Sequence, residues 1–247
     1  MKETERIFAE LKALSRPDKK DVLQYFFKTG KGEYGEGDKF IGVVVPDIRK
    51  IAKANISLEF KHIEDLLASP WHEMRLCGLL ILTERSALYR KNTSIRKHGK
   101  DFCLNELEEC YRFYLAHTKS INNWDLVDLS APSIVGDYLI DKDRSALYKL
   151  AESSSLWEQR ISIVSTFSFI KKGETEDTFA LAMKLLRHKH DLIHKAVGWM
   201  LREAGKKDEA RLKDFLNKFA TNMPRTMLRY SIEKFGPSER KYYLALK

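Results

Sequence analysis

The sequence is poor in the residues that break helices or cross-link chains. It has 6 prolines, 12 glycines and 3 cysteines among 247 residues. Three cysteines in no metal-ligand spacing exclude a disulfide scaffold and indicate buried thiols in a reducing compartment. The longest apolar run, from Cys77 to Leu82, is far shorter than the roughly 20 residues of a transmembrane helix. We therefore expect a cytoplasmic, globular protein that does not span a membrane.

Positive charge is what the sequence has in excess. Lysine and arginine number 44 against 35 aspartates and glutamates, which gives a formal net charge of +9 and a pI of about 9.3. Such an excess favours polyanionic partners, with nucleic acid first and anionic membrane second. Ordinary solubilising charge is the alternative explanation. A charged fraction of 32% beside a hydrophobic fraction of 43% indicates a folded chain rather than a disordered one.

Most of the chain has the apolar period of a helix. Apolar stripes such as Val22, Tyr25 and Phe26 recur between short breaks that contain Gly, Pro, Ser or Asn. The run of valines that ends at Val45 resembles a strand, but Pro46 follows at once. Proline is favoured in the first turn of a helix, so we predict a helix from there to about Ala54. The prediction for the whole chain is an all-α fold.

One pattern repeats along the chain. A cation followed by apolar, small and apolar residues begins at Arg160, Lys195 and Arg229, which lie 35 and 34 residues apart. The same step backwards from Arg160 reaches Asp125. Helix-pair repeats of this length stack into an α-solenoid, in which one helix of each pair lines a concave face. We predict one continuous repeat domain over residues 1–247, with a concave basic face.

Aromatic and charged side chains recur at matching places in these repeats. Trp124 and Asp128 are four residues apart on a helix-like segment and therefore share a face. If the repeats stack in register, Arg160 and Trp199 converge with them on the concave surface. Two rings, one carboxylate and flanking cations could grip a sugar with a nearby phosphate. Tryptophans that merely belong to the core would show the same spacing.

Four blocks of sequence are distinctive, and they are NWDLVD at 123–128, WEQRISI at 157–163, KAVGWMLRE at 195–203 and GVVVPDIR at 42–49. These blocks resemble the HEAT-like-repeat alkylpurine DNA glycosylases, the AlkC/AlkD group of DNA alkylation repair proteins. The order and spacing of the blocks match over most of the chain, and the block at 195–203 is the most specific. A second tryptophan often precedes the first in that family, and here Asn123 occupies its position, outside the matched catalytic positions.

The resemblance implies a fold, an activity and a set of site residues. The fold is an α-solenoid of HEAT-like repeats. The activity is hydrolysis of the N-glycosidic bond of cationic alkylated purines, such as 3-methyladenine and 7-methylguanine, in duplex DNA. No cofactor or metal is expected, and we expect a monomer. The family's essential carboxylate corresponds to Asp128 and its aromatic walls to Trp124 and Trp199. The DNA-binding cations implied by the match are Arg160, Arg49 and Arg202, with Lys195 beside them.

Two other classes of function remain open at this point. A non-catalytic HEAT-repeat scaffold that binds nucleic acid or protein would share the fold, because fold does not fix function. A metalloenzyme is suggested by His188, His190 and His194, although no nearby cysteine completes a ligand set. The glycine-rich segment 28–39 lacks the ending of a phosphate-binding loop. We interpret it as a flexible surface connector, with a DNA-touching loop as the alternative.

Overall fold

The computed structural model describes residues 2–246. Within that range the regular elements are helices, and the sole β-type pairing is an isolated bridge between Lys39 and Trp71. The predicted all-α class is confirmed. Contacts divide the chain between Ile134 and Val135 into two compact units, called unit 1 and unit 2. The single repeat domain over residues 1–247 stays a prediction. No helix in the described range is both long and apolar enough to cross a membrane.

Unit 1 carries the N-terminal helices. They are α1 (Glu3–Ala13), α2 (Pro17–Phe26), α3 (Val45–Ala54), α4 (Phe60–Leu67), α5 (His72–Tyr89), α6 (Asn92–His98), α7 (Lys100–Ala116) and α8 (Trp124–Asp128). Helix α5 is the centre of the unit, since α3, α4 and α7 all pack against it. The apolar run predicted to be too short for a membrane lies in α5 and is fully buried. Burial of each of its leucines contributes roughly 1.5–3 kcal/mol.

Helices α3 and α2 were both predicted from the sequence, but only α3 also buries apolar side chains. Helix α3 begins at Val45 with Pro46 in its first turn and ends at Ala54, as predicted. Helix α2 has no buried residue, and the apolar stripe of Val22, Tyr25 and Phe26 is 58–80% exposed. The stripe marks a helix correctly but does not mark a core-facing side.

Unit 2 carries the remaining α-helices. They are α9 (Ser145–Ala151), α10 (Leu156–Ser165), α11 (Phe167–Lys171), α12 (Glu176–Lys184), α13 (Asp191–Gly205), α14 (Glu209–Phe219), α15 (Arg225–Ser231) and α16 (Pro237–Ala245). Helix α13 packs against both α10 and α15, while α9 lies on α10 and α12 lies on α13. The three segments that gave the 35-residue repeat are therefore neighbouring helices of one unit.

A glycine in the repeated segment permits this packing. A Cβ atom at Gly198 of α13 would lie 2.6 Å from the carbonyl oxygen of Met227 and 2.5 Å from Cβ of Tyr230. Both atoms belong to α15, and a carbon cannot approach a backbone oxygen so closely. Gly198 therefore allows α13 and α15 to approach each other within unit 2.

Candidate active site

A short helix presents the two central candidates together. Helix α8 begins after Asn123, whose side-chain oxygen accepts a hydrogen bond of 2.8 Å from the backbone N–H of Trp124. Asn123 is fully buried, so the residue that differs from the resembled family serves as a helix cap. Trp124 and Asp128 stand four residues apart on this helix, and both are half-buried. An aromatic ring and a carboxylate therefore lie on one face, as predicted from their spacing.

The surroundings of Asp128 include a buried phenol. Burial raises the pKa of Tyr114, its hydrogen bond with Ser130 opposes that rise, and the negative charge of Asp128 adds to it. The Tyr114 hydroxyl lies 3.0 Å from the Ser130 hydroxyl. The phenol therefore stays protonated at neutral pH and does not compete with Asp128 as an anionic group.

Trp124 packs against an aromatic stack, which we define as Phe27, Phe40 and His72. The Phe27 ring stacks on Trp124 at 5.2 Å between centroids, and it also stacks on Phe40 at 5.2 Å. The imidazole of His72 lies 5.0 Å from Phe27 and 4.6 Å from Phe40. The exposed ring of Phe26 meets Trp124 edge-on at 5.8 Å. These contacts fix the plane of the Trp124 ring, because aromatic pairs prefer offset and edge geometries.

A second group of buried side chains adjoins the stack, which we call the ion cluster: Asp38, His72, Arg75 and Asp125. Nε2 of His72 lies 2.8 Å from Oδ2 of Asp125, and Nδ1 lies 3.2 Å from Oδ2 of Asp38. Arg75 donates to the other oxygen of Asp38 at 2.6 Å. All four residues are at most 6% exposed. Two carboxylates and two cations thus balance in charge, as buried ions must.

The ion cluster sets the protonation of His72. Burial lowers the pKa of the imidazole, but the charge and hydrogen bond of Asp125 and the hydrogen bond to Asp38 outweigh burial and raise the pKa to about 9. Burial also favours the neutral acid of Asp38, yet its hydrogen bond with His72 and the charge of Arg75 hold its pKa below the usual range. At neutral pH His72 is therefore an imidazolium that donates from both ring nitrogens.

Buried carboxylates anchor the C-terminal end of the glycine-rich segment and the residues that directly follow it. Glu73 is 1% exposed, and its carboxylate accepts hydrogen bonds from the backbone N–H groups of Ile41, Gly42 and Val43 at 2.7–3.2 Å. Asp38, inside the predicted flexible connector 28–39, is held in the ion cluster. The interpretation of this segment as only a flexible surface connector was wrong at its C-terminal end, because Asp38 there is buried and ion-paired.

Two of the predicted phosphate ligands each contact another group of the protein. Arg49 of unit 1 is half-buried and forms an ion pair of 2.8 Å with Glu84. Arg160 of unit 2 is 4% exposed and donates to the backbone oxygen of Leu192 at 2.5 Å. The first would have to exchange a carboxylate for a phosphate. The second joins α10 to the first turn of α13, so its role toward DNA stays a prediction.

Helix α13 of unit 2 carries three further candidates. Lys195 and Trp199 are four residues apart and Arg202 follows one turn later, so the three share one side of the helix. Trp199 is half-buried, and its ring lies 5.8 Å from Phe167. Lys195 pairs with Asp191 at 2.8 Å. Arg202 pairs with its neighbour in sequence at 3.1 Å and also with a carboxylate of the α15 region.

The histidines that suggested a metal are engaged in local contacts. His190 caps α13 by accepting from the N–H of Leu192 at 3.1 Å. His188 lies 2.8 Å from Oε1 of Gln159, and Nε2 of His194 donates to the backbone oxygen of His188. Within residues 2–246 no group of three or more His, Cys, Asp or Glu side chains is arranged to hold a metal ion.

Similarity to known proteins identifies the family of the chain. The family model described as "DNA alkylation repair enzyme" matches residues 7–235. The chain belongs to this family. A solved structure titled "Predicted DNA alkylation repair enzyme from Enterococcus faecalis" is similar, with a TM-score of 0.65 and 13% identity over 90% of this chain and 97% of that one. At that identity the likeness shows a shared fold. No curated protein matches the sequence.

Membership of the DNA alkylation repair family agrees with the resemblance inferred from the four sequence blocks. The sequence did not reveal the ion cluster, however. Asp38, His72 and Asp125 are separated by 34 and 53 residues, and no periodic pattern connects them. The one signal available was that polar residues, His72 among them, directly precede the apolar run of α5.

Proposed function

We propose that this DNA alkylation repair protein is a monofunctional DNA glycosylase that removes cationic alkylated purines from duplex DNA. The observation that carries the proposal is the pairing of Trp124 and Asp128 on one face of α8, in a chain of this family. The substrates we propose are 3-methyladenine and 7-methylguanine. Excess positive charge supports a polyanionic substrate.

Cleavage of the glycosidic bond at such a lesion requires few catalytic groups. Alkylation at a ring nitrogen makes the base cationic, so the base leaves as a neutral molecule that takes the electrons of the C1′–N bond. No acid is needed to protonate it, and one carboxylate can suffice where glycoside hydrolases use two. Positive charge then develops on the deoxyribose. Asp128 would stabilise that charge and orient the water whose oxygen attacks C1′, and the water's proton passes to the carboxylate or solvent.

Aromatic rings would assist by presenting their negative faces to the cationic nucleotide. Each such contact contributes about 0.5–2 kcal/mol. We assign this role to Trp124, whose plane is fixed by the aromatic stack, and to Trp199 of α13. Arg49, Arg160, Arg202 and Lys195 are the proposed contacts to the DNA backbone. No lysine is proposed as a Schiff-base nucleophile, so the DNA strand should remain intact after base release.

The test of these roles is a comparison of variants under single-turnover conditions. Asp128→Asn keeps the shape of the side chain and removes its charge. We expect the rate of 7-methylguanine release to fall about 100-fold or more, because the stabilising charge is lost, while the Kd for lesion-containing duplex changes little. Asp141→Asn is the matched control, since Asp141 is exposed and outside the site.

Either of two results would contradict the assigned roles. Equal excision rates in wild type and Asp128→Asn would remove Asp128 from the chemistry. Loss of DNA binding together with loss of excision would make Asp128 a binding or folding residue instead. Duplex binding without any base release by the wild type would favour the scaffold function.

A further inference from the structure

The ion cluster lies directly behind the candidate active site and is not explained by the proposed chemistry. We propose that His72 is a positioning residue, which holds α8 in place through Asp125 and thereby sets the orientation of Trp124 and Asp128. The inference rests on the proposed function for its kinetic consequence. Its structural consequence, a displaced Trp124 ring, can be measured without any DNA.

Helix α8 needs an external support because it is short. It spans five residues, which is little more than one turn, and a helix of that length is not stable by itself. Its N-terminal cap comes from Asn123. One polar connection from α8 to another helix is the 2.8 Å contact between Asp125 and His72 of α5. The other oxygen of Asp125 accepts from the N–H of Leu126 at 2.9 Å, so the carboxylate joins the first turn of α8 to α5.

The contact between Asp125 and His72 constrains the positions of both Trp124 and Asp128. It directly follows Trp124 and precedes Asp128 by three residues. Rotation of α8 about its axis would move both candidate side chains, and the contact with His72 opposes that rotation. Because a misplacement of about 1 Å can reduce a rate by about 100-fold, the contact bears on excision without touching the substrate.

His72 is also connected to Trp124 by ring contacts, through Phe27. Its ring lies tilted against Phe27 at 5.0 Å between centroids, and Phe27 stacks on Trp124 at 5.2 Å. Phe40 also contacts the imidazole, with its ring stacked at 4.6 Å between centroids. One residue therefore contacts both the helix that carries Trp124 and the ring that packs against it.

The neighbours of His72 explain why its side chain is held so firmly. Asp38 of the glycine-rich segment, Arg75 of α5 and Asp125 of α8 are the charged groups that face it. Asn122, in the segment before α8, donates to Asp38 at 3.1 Å. A buried ion cluster is weak evidence for stability, since apolar replacements are often as stable. A role in fixing three distant segments at one place accounts better for its presence beside α8.

The variant that tests the proposal is His72→Phe. Phenylalanine keeps a ring in contact with Phe27 and Phe40 but cannot donate to Asp125 or Asp38. The matched control is His98→Phe in α6, where the exposed ring stacks on Phe102 at 5.5 Å. We expect His72→Phe to lower the single-turnover rate of 7-methylguanine release about 10- to 100-fold, with the Kd for duplex DNA within about threefold of wild type. His98→Phe should change neither quantity.

A spectroscopic readout separates positioning from simple loss of stability. The protein contains four tryptophans, so incorporation of 5-fluorotryptophan gives four ¹⁹F resonances that Trp→Phe variants assign. We expect His72→Phe to shift or broaden the Trp124 resonance in the free protein, while the resonances of Trp157 and Trp199 in unit 2 stay unchanged. A shift of all four resonances would indicate global disturbance and overturn the proposal.

The remaining outcomes are also decisive. If His72→Phe does not fold, the wild type is titrated instead, and the Trp124 resonance should move with a midpoint near pH 9, where His72 loses a donor. An unchanged Trp124 resonance, in the variant or through that titration, would overturn the proposal. If the wild type releases no base, the proposed function fails, and the ¹⁹F result alone decides whether His72 positions α8.

Discussion

Raising the pH from 6.5 to about 9 should destabilise the protein by discharging His72. The folded-state pKa of this imidazole is raised from 6.5 to about 9 by Asp125 and Asp38. For a group whose pKa is raised on folding, the stabilisation is fully present below the unfolded pKa and is lost as the pH rises through the folded pKa. The pH window is therefore 6.5 to 9, and stability should fall as the pH increases within it.

The loss of unfolding free energy can be calculated from the pKa shift of His72. Each pKa unit corresponds to about 1.4 kcal/mol, so a shift from 6.5 to about 9 amounts to roughly 3 kcal/mol of unfolding free energy. That is a large share of the ~5–15 kcal/mol that stabilises a typical protein. Because His72 is 2% exposed, solvent screens the contacts little, and salt should change the effect only weakly.

Urea unfolding at pH 6.5, 7.5, 8.5 and 9.5 measures this free energy. Lysine, tyrosine and cysteine groups also titrate at the upper end, so the informative quantity is the difference between wild type and His72→Phe. His98→Phe serves as the control and should follow wild type. If wild type and His72→Phe lose the same free energy over this window, to within about 1 kcal/mol, the assignment of a charged, doubly bonded His72 is refuted.

Three further predictions concern packing, the glycine-rich segment and DNA binding. Gly198→Ala should lower the unfolding free energy by about 1–3 kcal/mol, because its new Cβ would meet the Met227 carbonyl oxygen at 2.6 Å; thermal unfolding checks this, and an unaffected midpoint would contradict it. The control is Gly236→Ala, whose Cβ meets nothing within 4 Å. Glu73→Ala should leave three buried backbone N–H groups unsatisfied, cost about 2 kcal/mol or more and expose residues 28–44 to limited proteolysis; protease resistance equal to wild type would refute the anchoring role. Duplex binding should weaken with salt, with log K against log [salt] falling by about 0.9 for each neutralised phosphate, and a salt-independent Kd would argue against backbone recognition.

The local features of the fold follow from the sequence. The helix of 45–54 follows from Pro46, and the shared face of Trp124 and Asp128 follows from a spacing of four residues. Both depend on geometry within one helix, which the sequence encodes directly. The exposure of the α2 stripe did not follow, because periodicity identifies a helix without identifying its neighbours.

The long-range features could not be read from the sequence. The repeated cation illustrates this, since Arg160 occupies a buried position on α10 whereas Lys195 is half-buried and paired at the surface of α13. The pattern predicted which positions recur along the chain but not the surroundings of each one. Asp125 stands at the same register and belongs to the ion cluster, whose partners lie on other segments.

The central claim is that this chain cleaves the glycosidic bond of alkylated purines, and base release by the wild type tests it most directly. Duplex DNA carrying one 7-methylguanine is incubated with excess protein, and mass spectrometry identifies the free base and the remaining strand. We predict free 7-methylguanine and an intact strand that contains one abasic site. Absence of any free base, from this duplex and from one carrying 3-methyladenine, would contradict the claim and leave a DNA-binding protein without the proposed activity.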